Sequence, residues 1–341
     1  MKTYRLSIRE GSKEKIMILP EMNNKERSAP QVFRLLAAAI LVLILTSAGI
    51  AADAAVKQKG FATPEDAVKA VITAAKNNDD KELIAIFGPS AKDLILSGDA
   101  VADKQRRELL LRKYDEKNGL VEEKGNMVFV IGKDDWPFPI PLVKKGEVWS
   151  FDTAKGREEI LNRRIGENEL STIQAMLAIV DAQREYAQKD IHGAGIPEYA
   201  QKFLSDPGKK NGLYWKTKEG EEPSPLGPAA AQAKEEGYKG KKSGGKPIPF
   251  HGYYYRMLKA QGKNADGGAY DYVVKGKMIG GFAVAAYPAK HGNSGVMTFI
   301  VNHDGVVFQK DLGKNTAKTA NAMKAYDPGP GWKKVEDSPK Q

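Results

Sequence analysis

The chain contains no cysteine. That excludes a disulfide framework, thiolate chemistry and any lipid attached at a cysteine. Histidine is nearly as scarce, with four in 341 residues. His192, His251, His291 and His303 show no ligand-like spacing, whereas a zinc site needs three or four converging ligands. No metal and no cofactor is expected. Between residues 60 and 155 there is no histidine at all, so the first folded region lacks the commonest general base. A G-x-x-x-x-G-K-[ST] phosphate loop is also missing. Lys and Arg outnumber Asp and Glu by 53 to 43, a net charge of +10. That surplus is spread along the chain without an arginine-rich run or a basic stripe with interleaved aromatics. Nucleic acid is therefore not the expected partner; a protein or an acidic polymer suits the charge better.

What is present begins with a leader. Residues 1–55 hold an apolar core, LLAAAILVLILTSAGI from Leu35 to Ile50, just after Arg34. Ala51, Ala52, Asp53, Ala54 and Ala55 follow, offering an A-x-A exit. Basic segment, apolar core and small residues form the order of a secretory signal. A start at Met22 would leave an ordinary basic leader carrying Lys25, Arg27 and Arg34. The expectation is an exported protein, periplasmic or extracellular. It would touch the membrane only through this segment, and whether the segment is cleaved or kept as an anchor stays open. The rest is long enough for about two domains, and with 41% hydrophobic residues it can build its core without disulfides.

The first domain is placed at 60–155. Thr63 is an N-cap, Pro64 fits the first helical position, and Glu65 and Asp66 suit the positive helix end. Ala67, Val68, Val71, Ile72 and Ala75 then repeat at helical spacing. A second helix carries Leu83, Ile84, Ile86 and Phe87, and a third runs from Asp103 to Tyr114. Strands follow at Met127–Ile131, Ile140–Val143 and Glu147–Phe151. Helices first and antiparallel strands afterwards argue an α+β fold. The candidate binding residues here are Asp134, Asp135, Trp136 and Trp149. Adjacent carboxylates can hold a cation or share acid and base roles. Neighbouring residues of a strand point to opposite sides, however, and a solvated turn is the plainer reading. No catalytic residue is assigned.

Residues 156–190 form a connecting and packing helix, with Leu170, Ile173, Leu177 and Val180 as its stripe and Gly166 as a weak point. Residues 191–250 read as a loop-rich surface excursion punctuated by Pro223, Pro225, Pro228, Gly240, Gly244 and Gly245. Strands return in 251–325, and 326–341 is expected to be a disordered tail. Between the last two strands lies Asn302-His303-Asp304-Gly305. Asp-Gly between β-branched and aromatic runs is a hairpin signal. That places His303 on an exposed turn, without a nucleophile or second ligand beside it.

Three resemblances follow from these stretches. TPEDAVKAVITAAKNND with the later GEVWSFD is similar to the cystatin-like, NTF2-like superfamily, which implies a helix on a curved sheet and a pocket. NELSTIQAMLAIVDAQREYAQKD, HGYYYRML, FAVAAYPA and SGVMTFIVNHDGVV resemble the globular part of type IV pilins and pseudopilins. That implies a long helix against a four-stranded antiparallel sheet. No prepilin cleavage motif adjoins the helix, so no filament role is implied. GKDDWPFPIPLV, GREEILNRRIGENEL and GGFAVAAYPAKHGNSGVMTFIVNHDGVVFQKDLG resemble the exported bacterial proteins of domain-of-unknown-function family 2950, which implies no activity. The function expected is that of a non-catalytic envelope protein binding a protein or polymer. The alternative is a small-ligand binder or enzyme using a pocket in the first domain. Oligomeric state is not legible.

Overall fold

The structure, a computed structural model, describes residues 57–191, 193, 195–238 and 247–336. The apolar run Leu35–Ile50 and His192 lie outside the described residues. Among the described residues, no helix is long and apolar enough to cross a membrane. The described residues belong to one compact unit with two hydrophobic cores. The architecture is α+β.

The first core grows from well-capped helices. α1 (Pro64–Lys76) starts as its sequence dictates: the Thr63 hydroxyl accepts the Asp66 N–H at 3.1 Å. In α2 (Asp80–Phe87), Asp79 accepts the Glu82 N–H at 2.9 Å. A short turn, α3 (Lys92–Ile95), leads to α4 (Ala100–Glu116), where Asp99 accepts the N–H groups of Val101 and Ala102, both at 3.1 Å. β1 (Asn118–Glu123), β2 (Asn126–Ile131), β3 (Trp136–Pro137), β4 (Leu142–Lys145) and β5 (Val148–Phe151) follow. They pair antiparallel in the order β1-β2-β4-β5, with β3 also on β2. Val71, Ile86 and Phe87 of the helices meet Phe129, Leu142 and Phe151 of the sheet.

α5 (Thr153–Gln188) is one unbroken helix of 36 residues, about 54 Å long. Gly166 does not interrupt it, and a Cβ there would meet nothing within 4 Å. Gly156, near its start, is a packing requirement: a Cβ there would lie 2.5 Å from the Pro139 carbonyl oxygen. Ile160 packs on the first core, while Met176, Ile179, Val180 and Tyr186 enter the second. The excursion after α5 is more closely packed than the composition suggests. It contains α6 (Gly227–Glu235) and fully buries Leu213. Gln183 of α5 binds the backbone of Ala200 on both sides, donating to its C=O and accepting its N–H, each at 2.8 Å. A chain rich in Gly and Pro is still held to the core where a buried side chain satisfies its peptide groups.

The second sheet begins with β6 (Tyr253–Leu258). Two small pairs follow, β7 (Ala260–Gln261) with β8 (Tyr270–Asp271) and β9 (Val273–Val274) with β10 (Lys277–Met278). β11 (Ala283–Pro288), β12 (Met297–Asn302), β13 (Phe308–Asp311) and β14 (Lys333–Lys334) complete the antiparallel order β14-β13-β12-β11-β6. β11 is buried along its whole length, since α5 lies against it and α7 (Thr316–Ala322) also packs on it. The sheet therefore gains a fifth, short strand from the region expected to be a tail. Residues 326–336 are ordered: Tyr326 is buried against Phe308, and Val335 donates to the Val307 carbonyl at 2.9 Å.

The turn at Asn302-His303-Asp304-Gly305 forms. Gly305 takes φ 81° and donates to the Asn302 carbonyl at 3.0 Å. The Asn302 side chain bonds the Asp304 N–H at 3.2 Å and its carboxylate at 2.8 Å. The expected exposure of His303 is corrected. Its ring is half-buried, edge-on to Tyr272 and Phe282. Gly281 leaves the room, since a Cβ there would stand 2.6 Å from His303 Nδ1.

Candidate functional site

A cavity of about 480 Å³ opens between the helices and the sheet of the first core. α1 contributes Val71 and Ala75, α2 Leu83 and Phe87, and α4 Leu109 and Leu110. Ile131 closes it from β2, Trp136 and Phe138 from β3 and the turn beyond, and Ile160 from α5. The aromatic wall is itself packed: Phe138 lies 5.9 Å from both Phe87 and Phe129, centroid to centroid. α4 explains the opening. Its Leu109 is 49% exposed, so the helix does not press its apolar residues fully onto the sheet.

The charged residues lining this apolar space are Lys113, Arg106, Arg107, Arg163 and Arg164 against Asp103, Asp134 and Glu167. Arg163 lies over the Trp136 ring at 4.8 Å, a cation–π arrangement. Arg107 Nη1 donates to Asp80 at 3.0 Å. Arg106 Nη2 donates to Asn168 at 3.2 Å and to Glu167 at 3.4 Å. Arg164 is 4% exposed. Its Nη1 donates to Asn293 Oδ1 at 2.8 Å and to the Asp93 carbonyl at 3.0 Å, and its Nη2 donates to the Leu94 carbonyl. Burial, then the like charge of Arg106, pulls its pKa down to about 10. Asp103 accepts the Ser97 N–H at 2.9 Å, and burial raises its pKa. Among the described residues, three buried guanidinium nitrogens have no hydrogen-bond partner: Arg106 Nη1, Arg107 Nε and Arg164 Nε. Arg106 Nη1 stands 3.8 Å from Asp103 Oδ1, an ionic contact beyond hydrogen-bonding distance.

Of the four residues singled out in the sequence, Asp134 and Trp136 line the cavity, while Asp135 and Trp149 do not. The paired carboxylates diverge at a turn: Asp134 meets Lys113 at 3.5 Å and Asp135 meets Lys117 at 2.7 Å, all at the surface. Trp149 exchanges two backbone hydrogen bonds with Phe61, each 2.8 Å, and packs half-buried on the first core. Sequence reasoning missed the arginines. The available signal was the doublet, Arg106-Arg107 and again Arg163-Arg164, each beside apolar residues of a helix.

The three described histidines stay apart. His251 pairs with Glu236 at 3.3 Å, His291 with Asp311 at 2.8 Å and His303 with Asp304 at 3.7 Å. Among the described residues, no three His, Asp or Glu side chains converge as a metal-binding set. A smaller recess of about 200 Å³ lies beside the end of α5, with Glu198, Lys202 and Lys259 on its wall; it lacks an apolar interior.

A family model described as "Protein of unknown function (DUF2950)" matches residues 58–335. The chain belongs to that family. The matched span covers both cores and the helix between them, so the family unit is the whole two-core body. No curated protein and no solved structure matches.

Proposed function

We propose that the protein is an exported, non-catalytic binding protein that holds a small apolar ligand in the cavity of its first core. The observation that carries this reading is the cavity itself. Its volume of about 480 Å³ falls within the range of about 300–1,000 Å³ usual for small-molecule sites. Its wall is mostly aliphatic and aromatic, with charge gathered among a few side chains. The acids on that wall already have partners: Asp134 has Lys113, Glu167 has Arg106, and Asp103 has the Ser97 backbone. A pocket of this kind holds a ligand better than it moves a proton. Between the two readings open from sequence, the cavity favours the small-ligand binder over a protein or polymer partner. The leader favours export.

The test is a fluorescence titration with N-phenylnaphthylamine, a neutral apolar dye that brightens when it leaves water. The wild type is expected to bind it saturably at one site. Leu110→Trp, which fills the cavity from α4, is expected to abolish the signal while circular dichroism stays unchanged. A wild type without saturable binding, or a folded Leu110→Trp protein that binds as before, would defeat the proposal.

A further inference from the structure

The cavity has a second property beyond its apolar wall. Buried donors are almost always satisfied, and one left bare in a native protein points to an unfilled role. Here three such nitrogens, Arg106 Nη1, Arg107 Nε and Arg164 Nε, belong to three side chains that line one space. Arg164 is the most telling, at 4% exposure. Both of its terminal nitrogens are spent on the carbonyls of Asp93 and Leu94 and on Asn293, yet Nε remains. Cationic residues exceed acidic ones on the wall; Arg106 and Arg157 repel Arg164, while Asp103 and Asp93 attract it. An anion held among these guanidinium groups would add acceptors to a wall that has more donors than acceptors.

We infer that the ligand is an amphiphilic acid, with one anionic head held by Arg106, Arg107 and Arg164 and an apolar body against Leu110, Phe138 and Ile131. This inference rests on the cavity reading and adds the chemistry of the head. Guanidinium donors suit the head because they bond carboxylate oxygens in fixed directions and are more weakly hydrated than an ammonium group. The aliphatic and aromatic parts of the wall solvate a chain or ring.

Displacement of N-phenylnaphthylamine separates head from body. Decanoate, decanol and decylamine share one chain and differ in the head. Decanoate is expected to displace the dye at concentrations roughly 10–100-fold below those of decanol, and decylamine is expected to be the weakest. Arg106→Gln and Arg107→Gln should each lower the ratio of decanoate affinity to decanol affinity toward one. Both side chains are partly buried, and circular dichroism checks that the variants fold. Arg164 is left intact because it also holds backbone. Equal displacement by decanoate and decanol, with the dye bound, would overturn the head assignment and leave the cavity reading standing. A decanoate preference that survives both substitutions would assign it to the overall positive charge and overturn the inference. A protein that binds neither dye nor any of the three amphiphiles would overturn both readings.

Discussion

Asp103 is an acid taken out of water, 7% exposed at the base of the cavity. Burial raises its pKa from the ordinary 3.8, more than the bonds from Ser97 and the charges of Arg164 and Arg106 lower it. The sign of the linkage follows. The folded state binds this proton more tightly than the unfolded state. The contribution of Asp103 to stability is therefore fully present below the unfolded pKa of 3.8 and is lost as pH rises through the folded value. Asp103→Asn keeps the acceptor for Ser97 and removes the titration. It is expected to be more stable than the wild type in urea unfolding at neutral pH, with the gap closing in acid below the unfolded pKa. A variant less stable than the wild type at neutral pH would mean that the contacts with the arginines outweigh burial. Little of this was legible at the level of single residues. Asp134 and Trp136 stood out because acids beside Trp and Pro are locally unusual. Asp103 reads as one more charge on a helix until Ser97 and α5 enclose it. His303 shows the reverse: its turn is written in Asp304-Gly305, but its half-burial depends on Gly281, which is distant in sequence.

At the scale of elements, two helix caps of the same residue type do different work. Asp79 caps α2 and accepts the Glu82 N–H at an exposed position. Asp99 caps α4 while buried, and its second oxygen accepts the Tyr238 hydroxyl and the Gly252 N–H, both at 2.9 Å. Removing an ordinary cap costs about 1 kcal/mol. Each buried donor left bare adds about 1–3 kcal/mol. Asp79→Ala is therefore expected to cost about 1 kcal/mol and Asp99→Ala about 3 kcal/mol or more, compared by chemical denaturation. Equal losses would show that Asp99 acts on its own helix alone. Element starts were readable in the sequence because caps are local, as Thr63 before Pro64 shows. The reach of α5 was readable as well, 156–190 against the observed Thr153–Gln188; only the weak point expected at Gly166 is absent, because both ends of the helix are packed. β1 was missed because its NGLVEE is mostly exposed and lacks alternation. The buried run of β11 was legible as a strand because FAVAAYPA is apolar throughout, as a strand covered on both faces must be. The site arginines escaped for a related reason. The sequence has no arginine-rich run, and the cluster exists only where α4 and α5 lie side by side.

At the scale of the whole molecule, the two cores are joined by α5 and by a buried polar seam. Arg164 bonds Asn293 and the α3 backbone, and Asn293 donates in turn to the Asp93 carbonyl at 2.8 Å. Asn168 donates to the Ser294 carbonyl at 2.8 Å, close above Gly252, whose absent Cβ would stand 2.5 Å from Asn168 Nδ2. Lys290 reaches the Leu96 carbonyl at 2.9 Å. A hydrophobic seam would tolerate small shifts, whereas hydrogen bonds in a buried seam are satisfied in one arrangement only. The wild type is therefore expected to unfold in one calorimetric transition, with van't Hoff and calorimetric enthalpies equal. Arg164→Met leaves the Leu94 carbonyl and Asn293 Oδ1 without a donor, while the Asp93 carbonyl keeps the one from Asn293, and it is expected to cost about 3 kcal/mol or more. Its stronger signature is the loss of cooperativity: the single peak should divide into two, one for each core, because the most deeply buried tie across the seam is then gone. Asn168→Ala, which removes one bond of the same seam, should lower the transition and keep it single. An Arg164→Met protein that melts in one transition at the wild-type temperature would show that the cores are coupled through α5 and that the seam is incidental.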